Sequence, residues 1–138
     1  MNTVLPSSLL RFALRLDATI SLATGVLLCA LPGVLSQRFD LGFGLLLGAG
    51  LFCLPYAALL LWMATRATLS SAAVLFIVIG NVLWADAALL LALGHGAAPS
   101  AWGQMYLATH VLATSAFALL QWFGWRRSAR MQPQFAVS

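Results

Sequence analysis

LSSAAVLFIVIGNVLWADAALLLAL, residues 69–93, decides the fold: across this run the only charged side chain is Asp86. A helix needs about 20 mostly apolar residues to cross a hydrocarbon core of roughly 30 Å, and this stretch exceeds that length. Asn81 and Asp86 make insertion costlier, but the Val, Leu, Ile and Phe residues around them outweigh the penalty. Three more stretches have the same character: Phe12–Leu35, Leu41–Ala64 and Ala101–Trp125. Their boundaries carry helix-ending chemistry, with Pro32-Gly33 after the first, Gly94-His95-Gly96 after the third and Pro99-Ser100 before the fourth. The sequence therefore predicts an all-α membrane protein, a four-transmembrane-helix bundle with short loops, in a single domain over residues 1–127. Residues 128–138 are expected to form a short, polar, disordered cytoplasmic tail. Short connections make consecutive helices antiparallel neighbours.

Composition supports a lipid-facing chain. Of the 138 residues, 62% are hydrophobic and 7% charged, whereas soluble domains carry roughly a quarter charged residues. The basic residues are all Arg, and seven of them against three acids form no dense basic patch. Nucleic acid is therefore not an expected partner; the lipid bilayer is. In the four-span threading, Arg11, Arg15, Arg66, Arg126, Arg127 and Arg130 fall on one side and Arg38 alone on the other. An excess of Arg in short loops marks the cytoplasmic side, so both termini are expected on the cytoplasmic side of a bacterial inner membrane. Trp62, Trp122 and Trp125 are expected at the inner boundary and Trp102 at the outer one, where indole N–H groups stay wet. Arg11 and Arg15 before an apolar run suggest a signal peptide. Asp17 breaks that run, however, and Leu28 stands where a cleavage site needs a small residue, so the segment is expected to be a retained helix. Cys29 and Cys53, both inside apolar runs, are expected to be free buried thiols.

Helices in lipid associate through close contact of small residues and through polar bonds. Ser21 and Gly25 on the first helix, with Gly44 and Gly48 on the second, are the expected packing residues, either within the bundle or between copies. Pro55 should kink the second helix.

Ionisable groups inside a span are candidate functional residues. The candidate polar site comprises Asp17, Asn81, Trp84, Asp86, His110 and Thr114. Asp86 and His110 are expected at similar depths, so they can pair if their helix faces meet. His110, Thr114, Phe117 and Gln121 share one face, expected to point inward. Asn81 and Trp84 share a face from which Asp86 is turned by about 140°. For Asp17, near Arg11 and Arg15, an ion pair is expected, with Arg66 or Arg126 as further partners. No catalytic constellation, phosphate loop or metal-ligand cluster occurs. His95 lies in an outer loop, so it cannot join His110 in a bis-His haem site; no cofactor is expected.

The chain resembles the small four-helix bacterial membrane proteins of the DoxX-like kind. The resemblance covers roughly the first half: an Arg-led first helix from Arg11 to Gly25, Pro32 at its end, a Leu41-Gly42 restart, a glycine-rich second helix with Pro55, and Arg66 closing it. It implies a four-helix bundle, often of unassigned activity and sometimes accessory to redox or quinone-linked membrane complexes. No catalytic residue carries over. Three functions remain open from the residues. One is a non-enzymatic accessory or self-associating scaffold subunit, in a homo-oligomer or a larger complex. Another is an oligomeric small transporter or proton-coupled carrier titrating Asp17, Asp86 and His110. The third is a binder of an apolar ligand such as a quinone, carotenoid or lipid, held beside Trp84, Tyr56 and the Pro55 kink.

Overall fold

The computed structural model describes residues 3–130. It is built on five helices: α1 (Ser8–Ala30), α2 (Pro32–Phe39), α3 (Phe43–Thr65), α4 (Ser71–Ala92) and α5 (Ala101–Arg126). Four of them, α1, α3, α4 and α5, are long and apolar enough to cross a membrane. Large apolar side chains cover their outer faces: Phe76 is 71% exposed and Leu112 73%. A surface of that kind is what a multi-pass membrane protein presents to lipid.

The expected first span, Phe12–Leu35, is divided in the structure. It begins at Ser8, where Ser7 accepts a hydrogen bond from the Leu10 amide, and ends at Ala30. Leu31 leaves helical geometry (φ −128°, ψ 38°) because a residue preceding proline is pushed out of the α region. Pro32 then opens the short α2, as proline at a first helical turn commonly does. Asp40 ends α2 with a left-handed backbone (φ 51°). The Phe39 and Arg38 carbonyls accept from the Ser100 amide (2.9 Å) and hydroxyl (2.7 Å), fastening α2 to the start of α5. Gly103 makes that approach possible, since a Cβ there would collide with the Phe39 carbonyl oxygen.

Neighbours around the bundle do not follow chain order throughout. The first span, α1, packs along α3 and α5, and α4 packs along α5. The two consecutive spans α3 and α4 stand apart, contrary to the expectation from short loops. They meet instead through side chains: the Phe52 and Trp84 rings stack at 5.2 Å across the seam. Two apolar clusters fill the ends of the bundle, one around Leu10, Leu14, Leu60 and Val74, the other around Leu28, Leu46, Ala88 and Leu107.

At the first of these ends lies a small sheet that the helical pattern did not suggest. Strands β1 (Thr3–Leu5), β2 (Leu69–Ser70) and β3 (Ala129–Arg130) pair antiparallel in the order β2-β1-β3. Val4 stands opposite both Leu69 and Arg130. The expected disordered tail is thus ordered at its beginning; residues 131–138 lie outside the described residues. Ser7 reinforces the junction, donating its hydroxyl to the Gly124 carbonyl (2.7 Å) and its amide to Ser128 Oγ (3.0 Å). Arg66 and Arg126 lie over the Trp62 and Trp122 rings near this end, and Arg38 lies over Trp102 at the other. Trp125 departs from its expected boundary role: it packs against the Leu10 cluster and its indole N–H is buried without an acceptor among the described residues.

The α1–α3 contact uses small residues, but not all of the expected ones. A Cβ on Gly25 would stand 3.1 Å from Cys53 Cβ and 3.2 Å from the Gly50 carbonyl oxygen. One on Gly50 would stand 2.9 Å from Leu28 Cβ and 3.1 Å from the Cys29 amide nitrogen. Gly44 and Gly48 instead face open space, with no described atom within 4 Å of a Cβ. Of the four expected packing residues, Gly25 lies in the contact while Gly44 and Gly48 do not, and Gly50 takes their place on α3. Both cysteines are free, Cys53 buried and Cys29 half-buried.

Overpacking a close helix contact costs about 1–3 kcal/mol. Gly50→Ala should therefore lower the thermal unfolding midpoint in detergent by several degrees, while Gly48→Ala leaves it unchanged. Equal midpoints for the two variants would refute this helix register.

Candidate functional site

Asp17 is 1% exposed in the middle of the bundle. An acid so deeply buried requires hydrogen-bond donors from the protein, because no bulk water reaches it. The donors come from all four long helices. Tyr56 Oη on α3 (3.0 Å), Asn81 Nδ2 on α4 (2.9 Å) and Gln121 Nε2 on α5 (2.7 Å) all donate to Asp17 Oδ2. Ser21 Oγ, one turn along α1, donates to Oδ1 at 3.0 Å. Asn81 closes the network with its second N–H, donating to Gln121 Oε1 at 3.0 Å. The expected ion pair of Asp17 is not formed: these four partners are neutral, and Arg11 turns away to donate to the Ala64 carbonyl at 2.7 Å.

The network joins residues that sequence separates widely. Asp17 lies nine residues into α1, Tyr56 nine before the end of α3 and Asn81 ten into α4. At 1.5 Å per residue these depths agree to within about 2 Å. Depth matching among uncharged polar residues was thus the available signal for Tyr56 and Asn81 but not for Gln121, which lies only five residues before the end of the longer α5, and proximity to arginine was misleading. Of the expected packing residues, Ser21 serves the network.

Next to the network a cavity of about 260 Å³ opens between the four long helices. Its floor is Ser21, Tyr56 and Asn81; Phe52, Trp84, Tyr106 and His110 form aromatic walls. A second, more apolar cavity of about 170 Å³ lies beyond, lined chiefly by leucine and alanine from α3, α4 and α5. Trp84, Tyr106 and His110 border both and separate them. The partition belongs to a run of rings: Tyr56, Phe52 and Trp84 stack in turn, Trp84 tilts towards His110 at 6.3 Å, and Tyr106 faces His110 at 5.2 Å.

Of the six candidate polar residues, Asp17 and Asn81 meet directly, and Trp84, His110 and Thr114 line the cavity beside them. Thr114 is buried and donates its hydroxyl to the His110 carbonyl of its own helix (2.8 Å). The inward stripe of α5 is real, with Thr114, Phe117 and Gln121 buried and His110 half-buried. Asp86 does not join them. It is exposed on the far side of α4, as its turn away from Asn81 and Trp84 requires, and the pairing with His110 is absent. Gln121 and Tyr56 are the members of the network that were not among the candidate polar or packing residues. Gln121 was visible only as part of the stripe, and Tyr56 only as an expected contact, with Trp84 and the Pro55 kink, of an apolar ligand.

Comparison with protein-family models, with curated proteins and with solved structures finds no match to this chain.

Stranding a buried donor costs about 1–3 kcal/mol. Asp17→Ala removes the acceptor of four donors, of which Asn81 and Gln121 are buried, so it should greatly lower the thermal midpoint in detergent. Asp17→Asn keeps one acceptor oxygen for the converging donors and should do less harm, and Asp86→Asn should be neutral. A mild Asp17→Ala variant would disprove the central role of this network.

Proposed function

We propose that this protein is a small multi-pass inner-membrane protein that binds an apolar ligand with a polar head. The supporting observation is the larger cavity, whose aromatic walls lead to a hydrogen-bonding floor held rigid by Asp17. Ligand sites generally combine an apolar lining with a few fixed polar groups. The head rests on the floor beside Asn81, against the stacked rings of Phe52 and Trp84. Its apolar extension leaves past Trp84 and His110 into the smaller cavity or through the α3–α4 seam. Candidate ligands are lipid-soluble ring compounds of quinone type, isoprenoids and other lipids. An accessory role in a larger redox complex, as the DoxX-like resemblance implies, is compatible with such a site.

In the proposed topology both termini are cytoplasmic. Arg11, Arg15, Arg66, Arg126 and Arg127 gather at the sheet end, against Arg38 at the other, and an Arg excess favours the cytoplasm. A phosphatase fused after Gly96 should be active in the periplasm, and one fused after Arg66 inactive. The reverse pattern would overturn this orientation.

Ala113 lines the larger cavity, so Ala113→Phe should fill it without touching the Asp17 network. Organic extraction of detergent-purified wild-type protein, followed by mass spectrometry, should recover a lipid-soluble compound enriched over bulk lipid. The Ala113→Phe extract should lack it. Identical extracts from both proteins would count decisively against ligand binding in this cavity.

A further inference from the structure

The hydrogen-bond inventory of the floor says which kind of head it accepts, a step that rests on the ligand-binding role proposed above. Asn81 spends both N–H bonds inward, on Asp17 and Gln121, which leaves its Oδ1 available. The Tyr56 and Ser21 hydroxyls spend their hydrogens on Asp17, which leaves oxygen lone pairs. The same is true higher up the cavity. The Thr109 and Thr114 hydroxyls donate to the Met105 and His110 carbonyls of their own helix, at 2.9 and 2.8 Å. A carboxylate is an acceptor without donors of its own, so it draws every nearby donor towards itself. What remains for the cavity is a floor of acceptors. The donors left unspent are off this floor: the Thr24 hydroxyl one turn along α1 from Ser21, the Trp84 indole N–H, and Tyr106 and His110 at the partition, the last two able to give or take a hydrogen bond.

We infer that the floor selects a ligand head that donates hydrogen bonds, a hydroxylated apolar molecule such as a phenol, a quinol or an isoprenoid alcohol, over its carbonyl or ether counterpart. A carbonyl oxygen on this floor meets only other lone pairs, and a buried polar group without a partner is disfavoured. A hydroxyl supplies the missing hydrogen to Asn81 Oδ1, Tyr56 Oη or Ser21 Oγ. The choice is made by a head that reaches Asn81, Tyr56 and Ser21, away from the donors of Thr24, Trp84, Tyr106 and His110. For a quinone-type ligand, the reduced form is the one retained.

The test uses 4-decylphenol and 4-decylanisole, which share a ring and a tail and differ in one donated hydrogen. Binding of each to the full-length protein is measured calorimetrically in detergent and corrected with protein-free micelles. One additional hydrogen bond corresponds to about a tenfold preference for the phenol. Ser21→Ala, which removes one floor acceptor and leaves the three donors to Asp17 Oδ2 intact, should narrow that preference. Anisole binding as tight as phenol overturns the donor selection while leaving the ligand site standing. Absence of saturable binding for both probes overturns the site itself. Preferential binding of decylamine over the phenol overturns the hydroxyl assignment in favour of a cationic head.

Discussion

The carboxylate of Asp17 is the interaction on which the rest of the bundle depends. In an apolar medium the helices gain nothing from hydrophobic attraction to one another, so their mutual positions must come from close backbone approach and from polar bonds. Asp17 supplies the second of these for all four long helices. It ties α3, α4 and α5 to α1 through three donors that converge on a single oxygen. Because the donors come from different elements, the separation of α3 and α4 is tolerated: each is held to α1 chemically although the two do not pack along each other. The open seam and the cavity beside it are consequences of that arrangement.

Close backbone approach supplies the first, where Gly25 and Gly50 let α1 meet α3, and Gly124 lets α5 meet the start of α1. A Cβ on Gly124 would come within 2.7 Å of the Leu10 backbone. These contacts pull α1 in tightly from two sides. The aromatic residues then occupy the space that remains between α3, α4 and α5. Small residues therefore make the tight half of the bundle and large rings the loose half, and the cavities lie in the loose half.

Much of this was legible in the residues before any coordinates. The number of long helices and their approximate limits followed from apolar length, and the inward face of α5 from the spacing of Thr114, Phe117 and Gln121. Three features were not, each for a physical reason. The break at Leu31 depends on a single proline effect inside an otherwise continuous apolar run. The partners of Asp17 were hidden because arginine is its obvious sequence neighbour, whereas the amides that bind it lie 64 and 104 residues away. The glycines that make the α1–α3 contact could not be told from Gly44 and Gly48 by spacing, since choosing between them requires knowing which way the helix is rotated.

The small sheet beside the Leu10 cluster has a meaning for assembly. Its central strand, β1, precedes the four long helices, its partner β2 lies between α3 and α4, and its other partner, β3, follows α5. The three strands can meet only if the long helices between them run out from this end of the bundle and back in pairs. Closure of the sheet is thus a parity condition on the bundle: leaving out any one of the four long helices would part β1 from at least one of its two partners.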